Sequence, residues 1–379
     1  MGLECRVRAS LCRSSLVYLL LVGSVGAVAG SGQTGSDASP KTLRAAADKH
    51  HLLMGAAVDS KSLASDPTYA SILQTEYSVL EPDNELKFDQ VHPQPDTYDF
   101  SGPDSLVAFA QAHNLKVRGH NLLWYQSLPD WIKSSANSWT PATLSKIVHE
   151  HIAHVVGHYK GKVYAWDVVN EPFNENGSMR TSVWYNAPGI GFSGQGTRTI
   201  EQALRWAHEG DPNAKLFVNE YGADVINPKS DAVYAMAKDF VQRGVPLSGI
   251  GFELHINPWF VDPAALDSMA KNLKRLADLG LEVQFTEVDV RLPNPTFQNL
   301  TGQADAYRDL MNVCLQQPAC TLFQTWGFTD LHSWIPEAYP GYGWALPFDT
   351  HYKRKPAYRA LFKKLETRGY DSPRPPAAR

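Results

Sequence analysis

Residues 163–171 read VYAWDVVNE, an apolar run that ends in an amide and a carboxylate. Its length and its branched and aromatic residues predict a buried β-strand over residues 163–170. Further runs of the same kind occur on both sides of it. The eight predicted strands cover residues 52–58, 77–81, 116–123, 163–170, 215–219, 249–255, 282–288 and 321–326.

Longer stretches with the period of an α-helix separate the predicted strands. Examples are residues 105–113, 143–159, 199–209, 231–243, 264–279 and 303–314. Regular alternation of strands and helices predicts parallel strands joined by right-handed crossovers, and eight such repeats can close into a barrel. No Ser- or Pro-rich linker interrupts the alternation. The sequence therefore predicts one α/β domain over residues 41–366, a single (β/α)8 TIM barrel.

Most of the predicted strands finish in polar or aromatic side chains. These residues are Glu81, His120, Trp124, Asn170, Glu171, Asn219, Glu220, His255, Glu287 and Trp326. A single one of them is as easily an ordinary residue at the start of a loop. Because the carboxyl ends of all strands in a parallel barrel meet at one face, the set as a whole predicts a functional site there.

Glu171 and Glu287 are the two carboxylates that we expect to carry chemistry. They end the fourth and seventh strands, so they can face each other across the barrel mouth. Two carboxylates in that relation can cleave a glycosidic bond, one as acid and base and the other as nucleophile. A separation of about 5–5.5 Å would retain the anomeric configuration. Burial beside the second carboxylate would raise the pKa of the acid.

The residues predicted around this pair suit a sugar ligand. Asn170 can donate a hydrogen bond to a hydroxyl of the reacting ring. His255 can hold Glu287 ionised through a hydrogen bond, and Asp289 can orient that imidazole. Further donors and ring faces are predicted at Asn84, Lys87, His120, Trp124, Trp326 and Trp334. Core packing is the alternative role for each Trp.

These motifs resemble glycoside hydrolase family 10, the secreted endo-β-1,4-xylanases built on an eight-fold barrel. The resemblance runs from about Leu43 to Leu365. It rests on residues 84–88, 118–124, 166–171, 286–289, 326–330, 333–334 and 314–320. It implies a retaining endo-xylanase that hydrolyses plant xylan, with Glu171 as acid/base and Glu287 as nucleophile. The chemistry requires no metal and no organic cofactor, and we expect a monomer.

The resemblance also implies roles for residues around the two carboxylates. It makes His255 the hydrogen-bond partner of Glu287, and it pairs Cys314 with Cys320 in a disulfide. The implied substrate contacts are Asp83, Asn84, Lys87, His120, Trp124, Asn170, Tyr221, Glu253, Trp326 and Trp334.

Several positions depart from the pattern of that family. Tyr125 stands where His is usual, Ser127 where Gln is usual, Glu220 and Gly222 where Asp and Asn are usual, Glu253 where Gln is usual, and Asp83 replaces a common Glu. If Glu253 faces the site, it repels Glu287 and raises a pKa in the cluster unless His255 is protonated. We therefore predict a shifted or sharpened pH–rate profile.

Two alternatives to xylan hydrolysis remain. The departures leave open the same retaining mechanism on another plant glycoside, such as a saponin. A non-catalytic sugar-binding barrel is the second alternative, since a fold alone does not establish chemistry.

The first 40 residues predict export. Arg6, Arg8 and Arg13 precede an apolar run that ends in Ala27-Val28-Ala29, the pattern of a secretory signal peptide over residues 1–29. That run is too short to span a bilayer comfortably. Residues 30–40 predict a flexible Gly- and Ser-rich leader, and residues 367–379 a polar tail. The mature protein is expected to be extracellular and free of the membrane.

Cysteine use and sequons agree with export. After signal cleavage only Cys314 and Cys320 remain, which favours a small local disulfide in an oxidising compartment. Asn176 and Asn299 lie in sequons that carry glycans only if the host is eukaryotic.

Charge and histidine spacing exclude other classes. With 35 basic and 39 acidic side chains the formal net charge is −4, which argues against a nucleic-acid binder. Four histidines recur on the predicted helix of residues 143–159, at His149, His151, His154 and His158. They lack the spacing of a zinc protease motif, so we predict that they face solvent.

Overall fold

A closed barrel of eight parallel strands forms the centre of the computed structural model, which describes residues 41–186 and 188–367. The strands are β1 Leu53–Val58, β2 Val79–Pro82, β3 Lys116–Leu123, β4 Val163–Asn170, β5 Lys215–Tyr221, β6 Gly249–Glu253, β7 Glu282–Val290 and β8 Cys320–Thr325. Each strand pairs with the next, and β8 pairs with β1 to close the ring. The short strand His255–Ile256 continues β6 alongside β7. The predicted (β/α)8 barrel is confirmed.

Eight helices follow the eight strands in order. They are α1 Pro67–Glu76, α2 Ser101–Ala112, α3 Pro141–His158, α4 Arg198–Gly210, α5 Pro228–Gln242, α6 Pro263–Ala277, α7 Phe297–Gln316 and α8 Pro356–Glu366. Four of them begin with Pro directly after a side-chain cap, supplied by Asp66, Thr140, Asn227 and Asp262. Such a pair satisfies free amide groups of the first turn and sets the first φ angle, so these starts are fixed locally.

The predicted strand limits differ from the observed ones by two residues or fewer. Tyr77 lies before β2, where its amide donates to Leu73 at the end of α1. Trp326 lies just beyond β8 rather than inside it. These shifts leave the polar ends of the strands at the same face of the barrel.

Arg118 lies inside the barrel with its side chain fully buried. Its guanidinium donates to Glu81 over 2.7 Å, to Gln284 over 3.1 Å and to both carboxylate oxygens of Asp167. A buried cation needs such partners, because removing one would leave an uncompensated charge. Glu81, which the sequence grouped with the residues of the barrel mouth, is therefore part of an interior ion cluster.

The predicted solvent-facing position of His151 is wrong. Its ring is fully buried, stacks on Phe88 at 3.8 Å and places Nδ1 3.3 Å from Nδ1 of His92. The short helix Phe88–Val91, which follows β2, covers this face of α3. That contact joins segments that are distant in sequence, so the spacing of the histidines along α3 could not reveal the burial of His151. His149 faces solvent as predicted.

The disulfide between Cys314 and Cys320 is confirmed, with an S–S distance of 2.06 Å. It joins the end of α7 to the start of β8. The predicted signal peptide, the leader and all but Thr367 of the polar tail lie outside the described residues. Among the described helices, none combines the length and apolar character that a membrane crossing requires.

Candidate active site

A cavity of about 520 Å³ opens at the carboxyl ends of the strands. Its volume is within the usual range for small-molecule sites. Most of the predicted site residues line it, namely Lys87, His120, Trp124, Asn170, Glu171, Tyr221, Glu253, His255, Glu287, Trp326 and Trp334. The structure thus brings together side chains that follow or end seven different strands.

Three predicted site residues do not line this cavity. Asp83 lines a smaller recess beside it, together with Trp326 and Trp334. Asn84 is exposed, and its Oδ1 accepts a hydrogen bond of 2.8 Å from Nζ of Lys87. Asp289 is fully buried and reaches the cavity through the side chains of His255 and Trp334.

Glu287 is held by donors on both of its carboxylate oxygens. Nε2 of His255 lies 3.0 Å from Oε2, and Nδ2 of Asn219 lies 2.7 Å from Oε1. Nδ1 of His255 lies 2.7 Å from Oδ2 of Asp289, which also accepts a hydrogen bond of 2.9 Å from the Trp334 indole. The predicted chain from Glu287 through His255 to Asp289 is therefore present.

The charges of this chain favour an ionised Glu287. Burial disfavours the imidazolium form of His255, but the charge of Asp289 and the hydrogen bonds to Asp289 and Glu287 outweigh it and raise the pKa of His255 to about 10. For Glu287, burial again opposes the charged form. The hydrogen bond from His255 and the charges of His120 and His255 outweigh burial and lower the pKa of Glu287.

Glu171 follows β4 in an unusual backbone conformation. Its φ is +49°, in the left-handed region that residues with side chains rarely adopt. Its amide donates to the carbonyl of Asn219 over 2.9 Å, and its carbonyl accepts 2.8 Å from Nε of Arg180. Burial and the negative charge of Glu287 raise the pKa of the Glu171 carboxyl. The two carboxylates are thus shifted in opposite directions, as an acid and a nucleophile require.

The side-chain amide of Asn219 connects Glu287 with Asn170 and Glu253. Its Nδ2 lies 2.7 Å from Glu287, 2.9 Å from Oδ1 of Asn170 and 2.9 Å from Oε1 of Glu253. Thr286 donates to Oδ1 of Asn219 over 2.7 Å, which fixes the orientation of the amide. The sequence placed Asn219 at a strand end but assigned it no role in the site.

Two sets of side chains in the site resemble metal ligands. Glu81, His120 and Asp167 form one set, and Glu253, His255 and Glu287 form the other, each with its ligand atoms within 4.8 Å. In the first set Arg118 binds both carboxylates, and in the second His255 donates to Glu287. Both sets are therefore engaged in charged hydrogen bonds of the protein itself.

A family model described as glycosyl hydrolase family 10 matches residues 42–364. The chain belongs to glycosyl hydrolase family 10. It is therefore a glycosidase, and the two buried carboxylates Glu171 and Glu287 line the same cavity.

Named relatives in family 10 are similar over most of the chain. Endo-1,4-beta-xylanase B of Thermotoga neapolitana is 38% identical over 92% of this chain and 96% of its own. Endo-1,4-beta-xylanase C of Phanerodontia chrysosporium is 37% identical over 86% of this chain and 79% of its own.

Solved structures from the family agree. Native xylanase 10B from Thermotoga maritima has a TM-score of 0.80 and 40% identity, covering 86% of this chain and 98% of that one. Xylanase 10B from Thermotoga petrophila in complex with xylobiose has a TM-score of 0.81 and 40% identity, covering 86% and 97%.

The aromatic side chains of the family 10 site surround Lys87. Its Nζ lies 5.4 Å from the ring centre of Trp124 and 5.6 Å from that of Trp326. The Trp124 indole N–H makes no hydrogen bond of normal geometry, yet it lies close enough to Glu171 to lower the pKa of that carboxyl in part. Trp334 packs against His255 with ring centres 4.8 Å apart.

Glu253 faces the site, which is the condition under which the sequence analysis expected it to affect a pKa of the cluster. It is buried, and burial together with the charges of Glu287 and Glu171 raises its pKa well above the usual range. The carboxyl of Glu253 therefore keeps its proton while Glu287 is ionised. The charged His255 contributes to this order, because its Nε2 lies 3.0 Å from Oε2 of Glu287 but 3.9 Å from Oε2 of Glu253.

Two of the other departures within family 10, Glu220 and Tyr125, lie close enough to Glu171 to interact with its charge. Glu220 is paired with the buried Lys229 over 2.8 Å, and burial raises its pKa to about 7. Tyr125 packs on the guanidinium of Arg180 with 4.7 Å between group centres. Ser127 does not line the cavity, whereas Gln126 and Gly222 do.

The sequence analysis missed several cavity residues, and all of them except Ile256 lie outside the strands. They are Gln126, Asp224, Ile256, Asn257, Phe260, Arg291 and Tyr339. No strand-end pattern marks them, because each stands at least one residue beyond the regular part of its strand.

Proposed function

We propose that this family 10 glycosidase is an endo-1,4-β-xylanase that cleaves xylan with retention of anomeric configuration. The observation that carries the proposal is the pair of buried carboxylates on one cavity, with the pKa of Glu171 raised and the pKa of Glu287 lowered. The names of the relatives support xylan as the substrate.

In the first step, the ionised Glu287 attacks the anomeric carbon of the bound sugar. The bond to the leaving oxygen breaks, and that oxygen takes the proton of Glu171. The products are a glycosyl ester on Glu287, a free sugar chain and the anion of Glu171. His255 and Asn219 hold the attacking carboxylate in place through its two oxygens.

In the second step, the anion of Glu171 removes a proton from water. The water oxygen attacks the anomeric carbon from the side that the leaving group vacated, and the ester bond to Glu287 breaks. Glu171 regains its proton and Glu287 its charge. Asn170, whose Nδ2 lies 3.5 Å from Oε1 of Glu171, is placed to donate to a hydroxyl of the reacting ring.

Substrate binding is proposed to combine donors with ring faces. Lys87, Asn84 and His120 supply donors, and Trp124, Trp326 and Trp334 supply rings against which a sugar can pack. Xylobiose is named in the complex of the Thermotoga petrophila relative, which supports the binding of xylose units in this cavity.

The experiment that tests this function offers the protein xylan, cellulose and a steroidal glycoalkaloid side by side. We expect xylo-oligosaccharides from xylan and no comparable products from the other two. Release of sugars from the glycoalkaloid alone would establish the saponin alternative, for which the departures at Tyr125, Ser127, Glu220, Gly222 and Glu253 are the argument. Sugar binding without product from any substrate would establish a non-catalytic barrel.

We also propose that the protein acts outside the cell as a monomer, after cleavage of residues 1–29. The basic and apolar pattern of that segment supports export. Determination of the mature amino terminus tests the cleavage, and light scattering of the mature protein tests its oligomeric state.

A further inference from the structure

The backbone of the acid/base needs support from outside its own segment. Glu171 has a φ of +49°, a conformation that a residue with a side chain keeps only where the surrounding contacts hold it. A general acid must stay within hydrogen-bond reach of the leaving oxygen. A rotation of this backbone would move the carboxyl away from that oxygen. The contacts that hold the backbone of Glu171 therefore bear on proton transfer.

The amides of the segment from residue 171 to residue 173 are bonded to β5. The amide of Glu171 donates to the carbonyl of Asn219 over 2.9 Å. The amide of Phe173 donates to Oε2 of Glu220 over 3.0 Å. Pro172, between them, has no amide hydrogen. The neighbouring strand thus satisfies every backbone donor of this segment.

The three carbonyls of the same segment all accept hydrogen bonds from Arg180. Nε of its guanidinium donates to the carbonyl of Glu171 over 2.8 Å, and Nη2 donates to the carbonyl of Phe173 over 2.8 Å. The amide of Arg180 donates to the carbonyl of Pro172 over 2.7 Å. Because one residue bonds three successive carbonyls, Arg180 fixes the direction in which the chain leaves β4.

A short hairpin brings Arg180 back to the acid/base. Phe173 pairs with Met179 in an antiparallel bridge, and Gly177 lies in the turn between them with a φ of +80°. A Cβ on Gly177 would lie 2.6 Å from the carbonyl oxygen of Pro228, the first residue of α5. The turn is therefore packed closely against α5, which keeps the hairpin and Arg180 in place.

The guanidinium of Arg180 is itself held between aromatic partners. Its centre lies 4.7 Å from the ring centre of Tyr125 and 5.5 Å from that of Tyr221. Nη2 also donates to the hydroxyl of Tyr221 over 2.8 Å. A planar guanidinium can bond several acceptors in fixed directions, whereas the ammonium of a lysine acts as a point charge. The contacts at Arg180 thus need the shape of arginine as well as its charge.

Arg180 lies behind the acid/base and not against the sugar. The described residues that line the cavity of about 520 Å³ include Glu171 but not Arg180. Arg180 lines a small recess beside that cavity, together with Glu171 and Tyr125. Its effect on catalysis must therefore pass through the position of Glu171.

We propose that Arg180 is a positioning residue for the acid/base, and that its hydrogen bonds to the carbonyls of Glu171 and Phe173 keep the Glu171 carboxyl directed at the leaving oxygen. The inference rests on the proposed function, and it concerns the proton-transfer part of that mechanism. Arg180 matters in the first step only where the leaving group needs a proton from Glu171.

The test compares two substrates that differ in how much they need the acid. Dinitrophenyl β-xylobioside and phenyl β-xylobioside carry the same sugars, but only the phenyl leaving group needs protonation. The variant Arg180→Met keeps an unbranched side chain and removes the guanidinium. We expect its kcat/KM on the phenyl substrate to fall about 10²-fold, the loss expected for a misplaced catalytic group.

The dinitrophenyl substrate gives the readout that a merely structural role would not produce. Its kcat/KM should stay at the wild-type value, because its first step needs no proton. Its kcat and KM should fall together, since the second step still needs Glu171 as a base. Arg180→Lys keeps the charge without the planar shape and should recover only part of the loss on the phenyl substrate.

The control variant is Arg198→Met. It removes an exposed guanidinium that packs on Phe192 at 5.3 Å, at the start of α4 and at the end of the same loop. Both substrates should be cleaved by this variant as by the wild type.

The outcomes separate the inference from the function beneath it. An equal loss of kcat/KM on both substrates in Arg180→Met, or no loss on the phenyl substrate, would overturn the positioning role. Full recovery in Arg180→Lys would also overturn it, because charge alone would then suffice. If the wild-type protein cleaves neither aryl xylobioside and releases no sugars from xylan, the proposed function itself fails.

Discussion

Nε2 of His255 lies 3.0 Å from Oε2 of Glu287, and the imidazole carries a proton on both nitrogens at neutral pH. Glu287 is a buried anion, and the charged hydrogen bond from His255 stabilises that charge. The neighbouring Glu253 receives none of normal length and stays protonated. The contact with His255, together with the charge of His120, favours the negative charge on Glu287, while burial keeps Glu253 protonated.

Replacement of His255 by Asn should move the acidic limb of the pH–rate profile. Without the imidazolium, the pKa of Glu287 rises, so activity is lost at a higher pH as the solution is acidified. We also expect kcat/KM to fall roughly 10²-fold, as for the loss of one strong donor. Profiles of kcat/KM on an aryl xylobioside measure both effects, with His149→Asn as the control for an exposed histidine. An acidic limb at the wild-type pH would contradict the role of His255.

Replacement of Glu171 by Ala should slow hydrolysis of xylan by roughly 10²–10⁴-fold, the usual contribution of a general acid. A substrate with a dinitrophenyl leaving group needs no proton in the first step, so its first turnover should remain fast. Azide needs no general base and should then accelerate release of the sugar as a β-glycosyl azide. Failure of azide to rescue this variant, or rescue with the opposite configuration, would show that Glu171 is not the acid/base.

Replacement of Glu253 by Gln should shift only the alkaline limb. On the acidic side Glu253 is uncharged, so the amide replaces a neutral group of the same shape. As the pH rises, the charges of Glu171 and Glu253 in the wild type repel each other, so the two carboxyls titrate as a coupled pair and the later ionisation occurs at a higher pH. The variant lacks this repulsion, and its alkaline limb should lie at lower pH. An unchanged profile, with Glu209→Gln as the control for an exposed carboxylate, would refute this coupling.

The buried histidine pair should make the protein less stable in acid. Burial lowers the pKa of His92 to about 4 and holds that of His151 well below its usual value. The unfolded chain binds protons on these residues below pH 6.5 while the folded chain does not, so stability falls as the pH drops from about 6.5 to 4. The variant His92→Phe keeps the stacking on Tyr98. Its total decrease in Tm between about pH 6.5 and 4 should be roughly 2–4 °C smaller than that of the wild type. Parallel slopes in variant and wild type would exclude this origin.

The barrel and its catalytic pair could be predicted because local pattern and topology agree. Runs such as residues 163–170 mark a strand by themselves, and parallel strands must end at one face. The prediction that Glu171 and Glu287 lie together at the barrel mouth follows directly from those two facts. The left-handed backbone of Glu171 could not be predicted, since no local signal distinguishes it from an extended residue.

The missed residues share a physical cause. Asn219 stood among the polar strand ends, but only the register of β5 against β4 shows that its amide reaches Glu287. Asp224 and Asn257 lie in loops, whose course depends on α6 and not on their own sequence. His151 was placed in solvent because the segment that covers it comes from elsewhere in the chain.

The retaining mechanism requires Glu287 to form the covalent bond to the sugar. The probe is a dinitrophenyl xylobioside with fluorine in place of the hydroxyl next to the reacting carbon. The fluorine slows both steps, but the good leaving group keeps the first step faster than the second, so the glycosyl ester accumulates. Mass spectrometry of the inactivated protein and of its peptides should find one fluorinated xylobiosyl group, attached to Glu287. A label on another residue, or turnover with inverted configuration and no label, would contradict the mechanism.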